Sequence, residues 1–213
     1  MSNMTTAHEI RQEARARLRD ALLDAAERIT IGQGWRSVRM GAVAAEVGVS
    51  RQTLHNEFGT REALGEELVR RELRRIVDTS LEDVRRLPDK PLEAAQAGIT
   101  AVLHRLSDNP LSQAIFTPDA GRDDALMMLL TRQSADMFDY ALEAYFQLWH
   151  ALYPTLDQQL LRDVIDCIIR LTIVYAFQPT EPVEVIARRI ASVVLSAVIG
   201  FKTPPADDGA ASP

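Results

Sequence analysis

The sequence predicts an all-α fold of about nine helices: an N-terminal three-helix domain with a helix-turn-helix, followed by a C-terminal helical domain. Three observations carry that expectation. Apolar residues recur at helical spacing along most of the chain, and no apolar–polar alternation bounded by turn residues marks a strand. The breaks between periodic segments are short and rich in Gly, Pro, Asp and Thr, the residues that stop and start helices. The 213 residues, 46 % apolar and 25 % charged, suffice for one large domain or two smaller ones with proper cores.

The elements follow in order. Residues 8 to 32 form the first helix, with Leu18, Ala21, Leu22, Ala25, Ala26 and Ile29 on its apolar face, and "GQGW" ends it. Short helices cover about 39 to 46 and 51 to 57. "GTRE" then breaks the chain, and Thr60 caps a fourth helix that runs to about 86. "LPDKP", residues 87 to 91, is the clearest boundary of the first half. A fifth helix follows to residue 107, and "DNP" separates it from a short sixth over 111 to 116. The long seventh, about 123 to 152, is amphipathic. Helices eight and nine cover about 157 to 177 and 182 to 201, and "KTPPADDGAASP" has the composition of a disordered tail. The expected domains are therefore 1–60, a connecting helix over 61–86, the second helical domain over 87–201, and the tail over 202–213.

The net charge of −6 hides an asymmetry. Residues 1 to 75 hold 13 Lys+Arg against 11 Asp+Glu, and the remainder holds 11 against 19. The front of the chain is suited to a polyanion and the back is not. Apolar stretches such as 171 to 177 are too short to span a bilayer, so no membrane partner is expected. No signal-peptide pattern opens the chain. A single cysteine, Cys167, excludes an intramolecular disulfide and a thiolate cluster; it reads as a small buried apolar residue. A cytoplasmic protein without metal or cofactor is expected.

"GVSRQTLHNEF", residues 48 to 58, concentrates hydrogen-bonding side chains in one short segment. Gly48 suits the left-handed turn between two short helices, and Ala44 lets them approach closely. Val43, Val47, Val49, Leu54 and Phe58 pin the pair onto the first helix. Ser50 is a good N-cap. Arg51, Gln52, Thr53, His55 and Asn56 then point outward from the start of a short helix. Arg pairs with guanine, Gln and Asn with adenine, and Thr with a thymine methyl or a phosphate, so the segment is suited to reading double-stranded DNA in the major groove. The run "RQEARARLRD", residues 11 to 20, is either a solvated face or an arginine-rich helix start beside the DNA backbone.

Residues 34 to 64, "GWRSVRMGAVAAEVGVSRQTLHNEFGTREAL", resemble the TetR-type transcriptional regulators. Gly34-Trp35, Val43-Ala44, Gly48-Val49-Ser50, Thr53-Leu54, Phe58, Arg61-Glu62 and Leu64 fall at that family's spacings. The departures are specific. Arg39 stands where Ser or Thr usually caps the second helix, and it reaches for a phosphate instead. Gln52 replaces a glycine, His55 a phosphate-binding tyrosine, Glu57 a histidine, and Arg61 a common lysine. The form "SRQTLHNEFG" resembles a branch of these regulators found near hydrocarbon and lipid genes. The resemblance implies DNA contacts from Arg39, Ser50, Arg51, Gln52, Thr53, His55, Asn56 and Arg61. It also implies a second domain that binds a small molecule and dimerises.

That second domain carries no motif of its own. Phe138, Tyr140, Tyr145, Phe146 and Trp149 read first as core. The resemblance adds a small-molecule pocket among helices five to eight, for which Leu103, Phe116, Met127, Phe138, Tyr145, Trp149 and Thr172 are the candidates and a hydrophobic effector is the expected ligand. Arg170 reads as the partner of Asp166 one turn earlier rather than as a ligand contact. His104 and His150 lack metal-ligand spacing. Helices eight and nine are apolar on more than one face, and relatives pair them with their copies in a second subunit. Ile168, Val194 and Val198 are the expected interface residues of a homodimer on a palindromic operator. The expected function is that of a repressor released by its ligand. The alternative is a helix-turn-helix regulator without an inducer, whose second half only dimerises. No nucleophile elbow, phosphate-binding loop or metal cluster supports an enzyme.

Overall fold

A computed structural model describes residues 2–116, 124–177 and 180–200, with side chains over 8–114, 136–176 and 180–196. Among the described residues there are nine α-helices and no strand: α1 (Ser2–Gln33), α2 (Met40–Val47), α3 (Arg51–Phe58), α4 (Arg61–Arg85), α5 (Pro91–Asp108), α6 (Pro110–Phe116), α7 (Asp124–Leu152), α8 (Gln158–Phe177) and α9 (Val183–Gly200). A 3-10 turn, Trp35–Ser37, lies between α1 and α2. None of these helices is long and apolar enough to cross a membrane.

The helix ends follow the expected chemistry. Thr60 Oγ1 accepts the Ala63 N–H at 3.0 Å. Asn109 Oδ1 accepts from Leu111 and Ser112 at 2.9 and 3.0 Å, and Asp157 Oδ1 accepts from Leu160 at 2.8 Å. Each satisfies an N–H that the helix itself leaves open. Helix α1 starts six residues before its expected position. Residues 2 to 7 hold neither Gly nor Pro, and a helix once nucleated extends at little further cost.

The chain divides into two compact units. One holds Met1–Arg75 with Asp108–Met137, and the other holds Ile76–Ser107 with Phe138–Pro213. In the first, Leu22, Leu23, Ala25 and Ala26 of α1 pack with Trp35, Val38, Val43, Ala44, Leu54 and Phe58. Leu64, Leu68 and Val69 of α4 and Leu111 of α6 enter the same core. Charged groups tie α4 to α1: the Arg71 guanidinium donates to Asp24 at 2.8 Å and Glu27 at 2.7 Å, and Arg75 donates to Glu27 at 2.9 Å. Glu72, fully buried, accepts from the Ser112 hydroxyl of α6 at 2.7 Å. A buried carboxylate needs such donors.

In the second unit, α5 contributes Ala95, Ile99 and Leu103, α8 contributes Val164, and α9 contributes Ile186, Ala187, Ile190, Ala191 and Val194 to one core. Phe146 of α7 with Leu161 and Ile165 of α8 forms a second cluster. Gly98 fixes how closely α5 meets α4. A Cβ there would sit 2.8 Å from a Val84 methyl and 3.1 Å from Ser80 Oγ, so a larger residue would push the helices apart. The Ser80 hydroxyl uses that closeness to donate to the Gly98 carbonyl at 3.0 Å.

Candidate nucleic-acid interface

The turn between α2 and α3 is built as its sequence requires. Gly48 takes φ 78° and ψ 26°, the left-handed region that a glycine enters without Cβ strain. The Val49 N–H reaches back to the Ala44 carbonyl at 3.0 Å, closing the end of α2. Ser50 Oγ accepts the Thr53 N–H at 3.0 Å and lies 2.9 Å from Thr53 Oγ1. Both hydroxyls are thereby committed to the start of α3.

Leu54 and Phe58 bury one face of α3, while Arg51, Gln52, His55 and Asn56 are exposed and Thr53 is half-buried. Gln52 Nε2 donates to Asn56 Oδ1 at 2.9 Å, joining the two amides across one helical turn. That bond leaves a carbonyl oxygen on Gln52 and an amide nitrogen on Asn56 facing outward. Arg39 precedes α2 in extended conformation and makes no side-chain cap; its guanidinium donates to the Arg36 carbonyl and, at 3.3 Å, to that of Val38.

Two ties hold this element, and neither shows as a local pattern in the sequence. Arg61, at the start of α4, donates from Nε to the Val38 carbonyl at 3.0 Å and from Nη2 to that of Trp35 at 2.5 Å. Its guanidinium stacks 4.7 Å over the Trp35 ring. It thus adds a second donor to the Trp35 carbonyl, which already accepts the Val38 N–H at 3.0 Å, and clamps the 3-10 turn to the start of α4. At the C-terminal end of α3, Arg15 Nε donates to both Glu57 carboxylate oxygens, at 3.0 and 2.9 Å. Arg19 donates to the Glu57 backbone carbonyl at 2.5 Å and lies over the Phe58 ring at 4.2 Å. Only the arginine run in α1 and the unusual glutamate at 57 hint at this in the sequence. Arg17 of the same run pairs with Glu13 at 2.5 Å.

The candidate effector residues fall in the second unit or outside the described side chains, as Phe116 and Met127 do. Leu103 and Trp149 share the core built on α5, α8 and α9, and Tyr145 and Trp149 pack on the Phe146 cluster. The Tyr145 hydroxyl donates to Ser80 Oγ at 2.7 Å, and burial pushes its pKa up to about 12 against the opposing effect of that bond. The buried Thr172 hydroxyl donates to the Ile168 carbonyl at 2.7 Å. Phe138, half-buried, lies under the Arg170 guanidinium at 5.1 Å, while Arg170 Nε donates to Asp166 at 2.7 Å as the one-turn spacing suggests. A cleft of about 460 Å³ between α4, α5 and α9 is lined by Asp83, Glu93, Glu184 and Arg188 together with Ala97 and Ala101, so charged and apolar groups share it.

Of the three expected interface residues, Val198 has its side chain outside the described set. Val194 is 9 % exposed and sits in the unit's own core, and half-buried Ile168 packs against the same core. Among the described side chains of α8 and α9, the exposed large apolar ones are Leu171, Val174, Val185 and Val193. Cys167 is exposed rather than buried, contrary to its sequence reading, because it falls on the outward side of α8.

Comparison with known proteins matches these elements. The family model described as "Bacterial regulatory proteins, tetR family" covers residues 22–68, and "Bacterial Tetracyclin repressor, C-terminal domain" covers residues 91–196. The HTH-type transcriptional regulator AlkX of Mycobacterium tuberculosis is 28 % identical over 187 residues, 86 % of each chain. The crystal structure of the TetR-family repressor AlkX from Dietzia sp., implicated in biodegradation of n-alkanes, covers 85 % of this chain and 95 % of its own, with 22 % identity and a TM-score of 0.70. The fatty acid degradation regulator FadR of Bacillus halodurans covers 83 % and 94 %, with 14 % identity and a TM-score of 0.51. At these identities the solved structures show the fold.

Proposed function

Because the chain belongs to the TetR family of bacterial regulatory proteins, we propose that it is a homodimeric repressor, released from a palindromic operator by a hydrophobic small molecule. Family membership makes it a helix-turn-helix transcriptional regulator and not an enzyme. The observation that carries the DNA-reading role is the exposed face of α3, where Arg51, Gln52, His55 and Asn56 stand opposite the buried Leu54 and Phe58. A helix anchored on one face and rich in donors and acceptors on the other is suited to base edges. Ser50 and Thr53 shape its start, Arg39 and His55 face the phosphates, and Arg61 acts on DNA through the turn that it holds. In this reading residues 1–60 read DNA, 61–86 connect, and 87–201 bind effector and partner.

The Gln52–Asn56 bond makes a specific expectation. Each amide orients the other, so Gln52→Ala and Asn56→Ala should relax preference at the same base positions, each by about 1–3 kcal/mol. The double variant should cost clearly less than the two single losses combined. Selection of bound sequences from random DNA with the three variants measures this. Unchanged preference in all three would contradict α3 as the reading helix.

The effector reading rests on half-buried Phe138, Tyr145 and Trp149, on the alkane and fatty-acid themes of the named relatives, and on the resemblance of "SRQTLHNEFG" to lipid-associated regulators. An apolar ligand gains about 25 cal/mol per Å² buried. Tyr145 and Thr172 have already committed their hydroxyl hydrogens, so what they offer a ligand is oxygen lone pairs. DNA release should be measured across alkanes, fatty acids, aromatic compounds and sugars. Hydrophobic compounds should release DNA, with Phe138→Ala weakening the response more than DNA binding. Release by sugars alone would contradict this reading.

A further inference from the structure

Glu57 occupies the flank of α3 next to Asn56, and two arginines of the α1 run, Arg15 and Arg19, reach across to it; its carboxylate holds Arg15 the more closely. Arg15 is 63 % exposed, whereas Glu57 is 13 % exposed. The exposed arginine therefore has its charge neutralised by a carboxylate fixed in the reading helix itself. Both Glu57 oxygens lie within 3.0 Å of Arg15 Nε. A DNA phosphate would offer the same pair of anionic oxygens. Arg19 plays a different part. Its guanidinium donates to the Glu57 backbone carbonyl, lies on Phe58, and comes no closer than 3.5 Å in its ion pair with the carboxylate. Arg19 fixes where Glu57 stands, and Arg15 is the group that Glu57 restrains.

We infer that Glu57 is a built-in substitute for a DNA phosphate, which withholds Arg15 from the backbone and lowers affinity for DNA of any sequence. The inference rests on the DNA-reading role of α3 and adds a device that favours base reading over general attraction. Phosphate contacts supply most of the non-specific affinity, and an arginine that must first leave a carboxylate contributes little to it. The same pairing costs the operator complex no base contact, because Glu57 lies on the flank rather than on the face formed by Gln52 and Asn56.

The test uses the full chain as wild type, Glu57→Gln, Arg15→Ala and the double variant. Each is titrated with a random-sequence duplex over a range of salt concentrations and with a selected operator. Glu57→Gln should bind the random duplex roughly three- to tenfold more tightly at low salt, with a log–log salt slope steeper by about 0.9, the value for one added phosphate contact. Its operator-to-random ratio should fall. Arg15→Ala should leave random-duplex affinity within about twofold, because the withheld arginine was contributing little. The double variant should lose the gain. Three results would overturn the inference: no gain in Glu57→Gln, a gain that persists without Arg15 and so reflects only a lost negative charge, or a large loss in Arg15→Ala. The last is readable even if Glu57→Gln fails to fold. Absence of salt-dependent DNA binding by the wild type would overturn the DNA-reading role as well, which separates the two failures.

Discussion

Trp35→Ala should abolish operator binding and lower the stability of the N-terminal unit by about 3–5 kcal/mol. Trp35 is 2 % exposed in the core that joins α1, α2, α3 and the first half of α4. Its loss opens a cavity that surrounding Leu and Val side chains cannot fill without moving the helices they belong to. It also removes the ring beneath Arg61, whose guanidinium then keeps its bonds to the carbonyls of residues 35 and 38 without that support. A domain of ordinary stability has about 5–15 kcal/mol in total, so this single change uses a large part of it. Urea unfolding followed by circular dichroism, with operator titration alongside, measures the effect. An unchanged midpoint with unchanged DNA affinity would show that the turn after α1 does not support the reading helix.

The second large effect concerns assembly. Val193 is 65 % exposed and Val174 is 57 % exposed, one on α9 and one on α8. In a single chain an aspartate at either position meets water and costs little, within about 0.5 kcal/mol. In a two-fold interface the same change places two unpaired carboxylates in a dry contact. Val193→Asp or Val174→Asp should therefore leave a folded monomer. Operator affinity should fall by about 100-fold or more, because two linked reading helices act at a high effective concentration and one alone does not. Val194→Asp should behave differently, since its side chain lies in the core of its own unit and the charge would unfold that unit. Light scattering with circular dichroism distinguishes the outcomes. Folded dimers from both Val193→Asp and Val174→Asp would place the subunit contact on another surface.

The contrast between neighbouring Val193 and Val194 shows what the sequence displayed and what it hid. Both are β-branched and apolar, and the helical period alone admits either as the inward residue of α9. Only packing on α5 decides, through Ile99 and Leu103, which are remote in sequence. The same reason applies to Cys167, which an apolar neighbourhood suggested was buried. Features set by a few adjacent residues were legible: the left-handed Gly48, the caps at Ser50 and Thr60, and the one-turn pair Asp166–Arg170. The outward face of α3 was legible too, because Leu54 and Phe58 fix its orientation. The tie between Arg15 and Glu57 spans 42 residues and depends on how α3 lies against α1, so no spacing rule announces it. Likewise, the hydroxyls of Tyr145 and Thr172 were legible as polar groups in apolar helices, but not as donors already engaged by Ser80 and the Ile168 carbonyl.

Two copies of this chain should read DNA together, with two symmetrically placed α3 helices. Selection of bound duplexes from a random pool by the purified full-length protein tests it most directly. The expected result is enrichment of a site with two-fold sequence symmetry, its half-sites about one helical turn apart. Arg51→Ala protein, still folded and dimeric, should relax preference at matching positions in both halves. Enrichment of a single asymmetric site, or of no site at all, would contradict it.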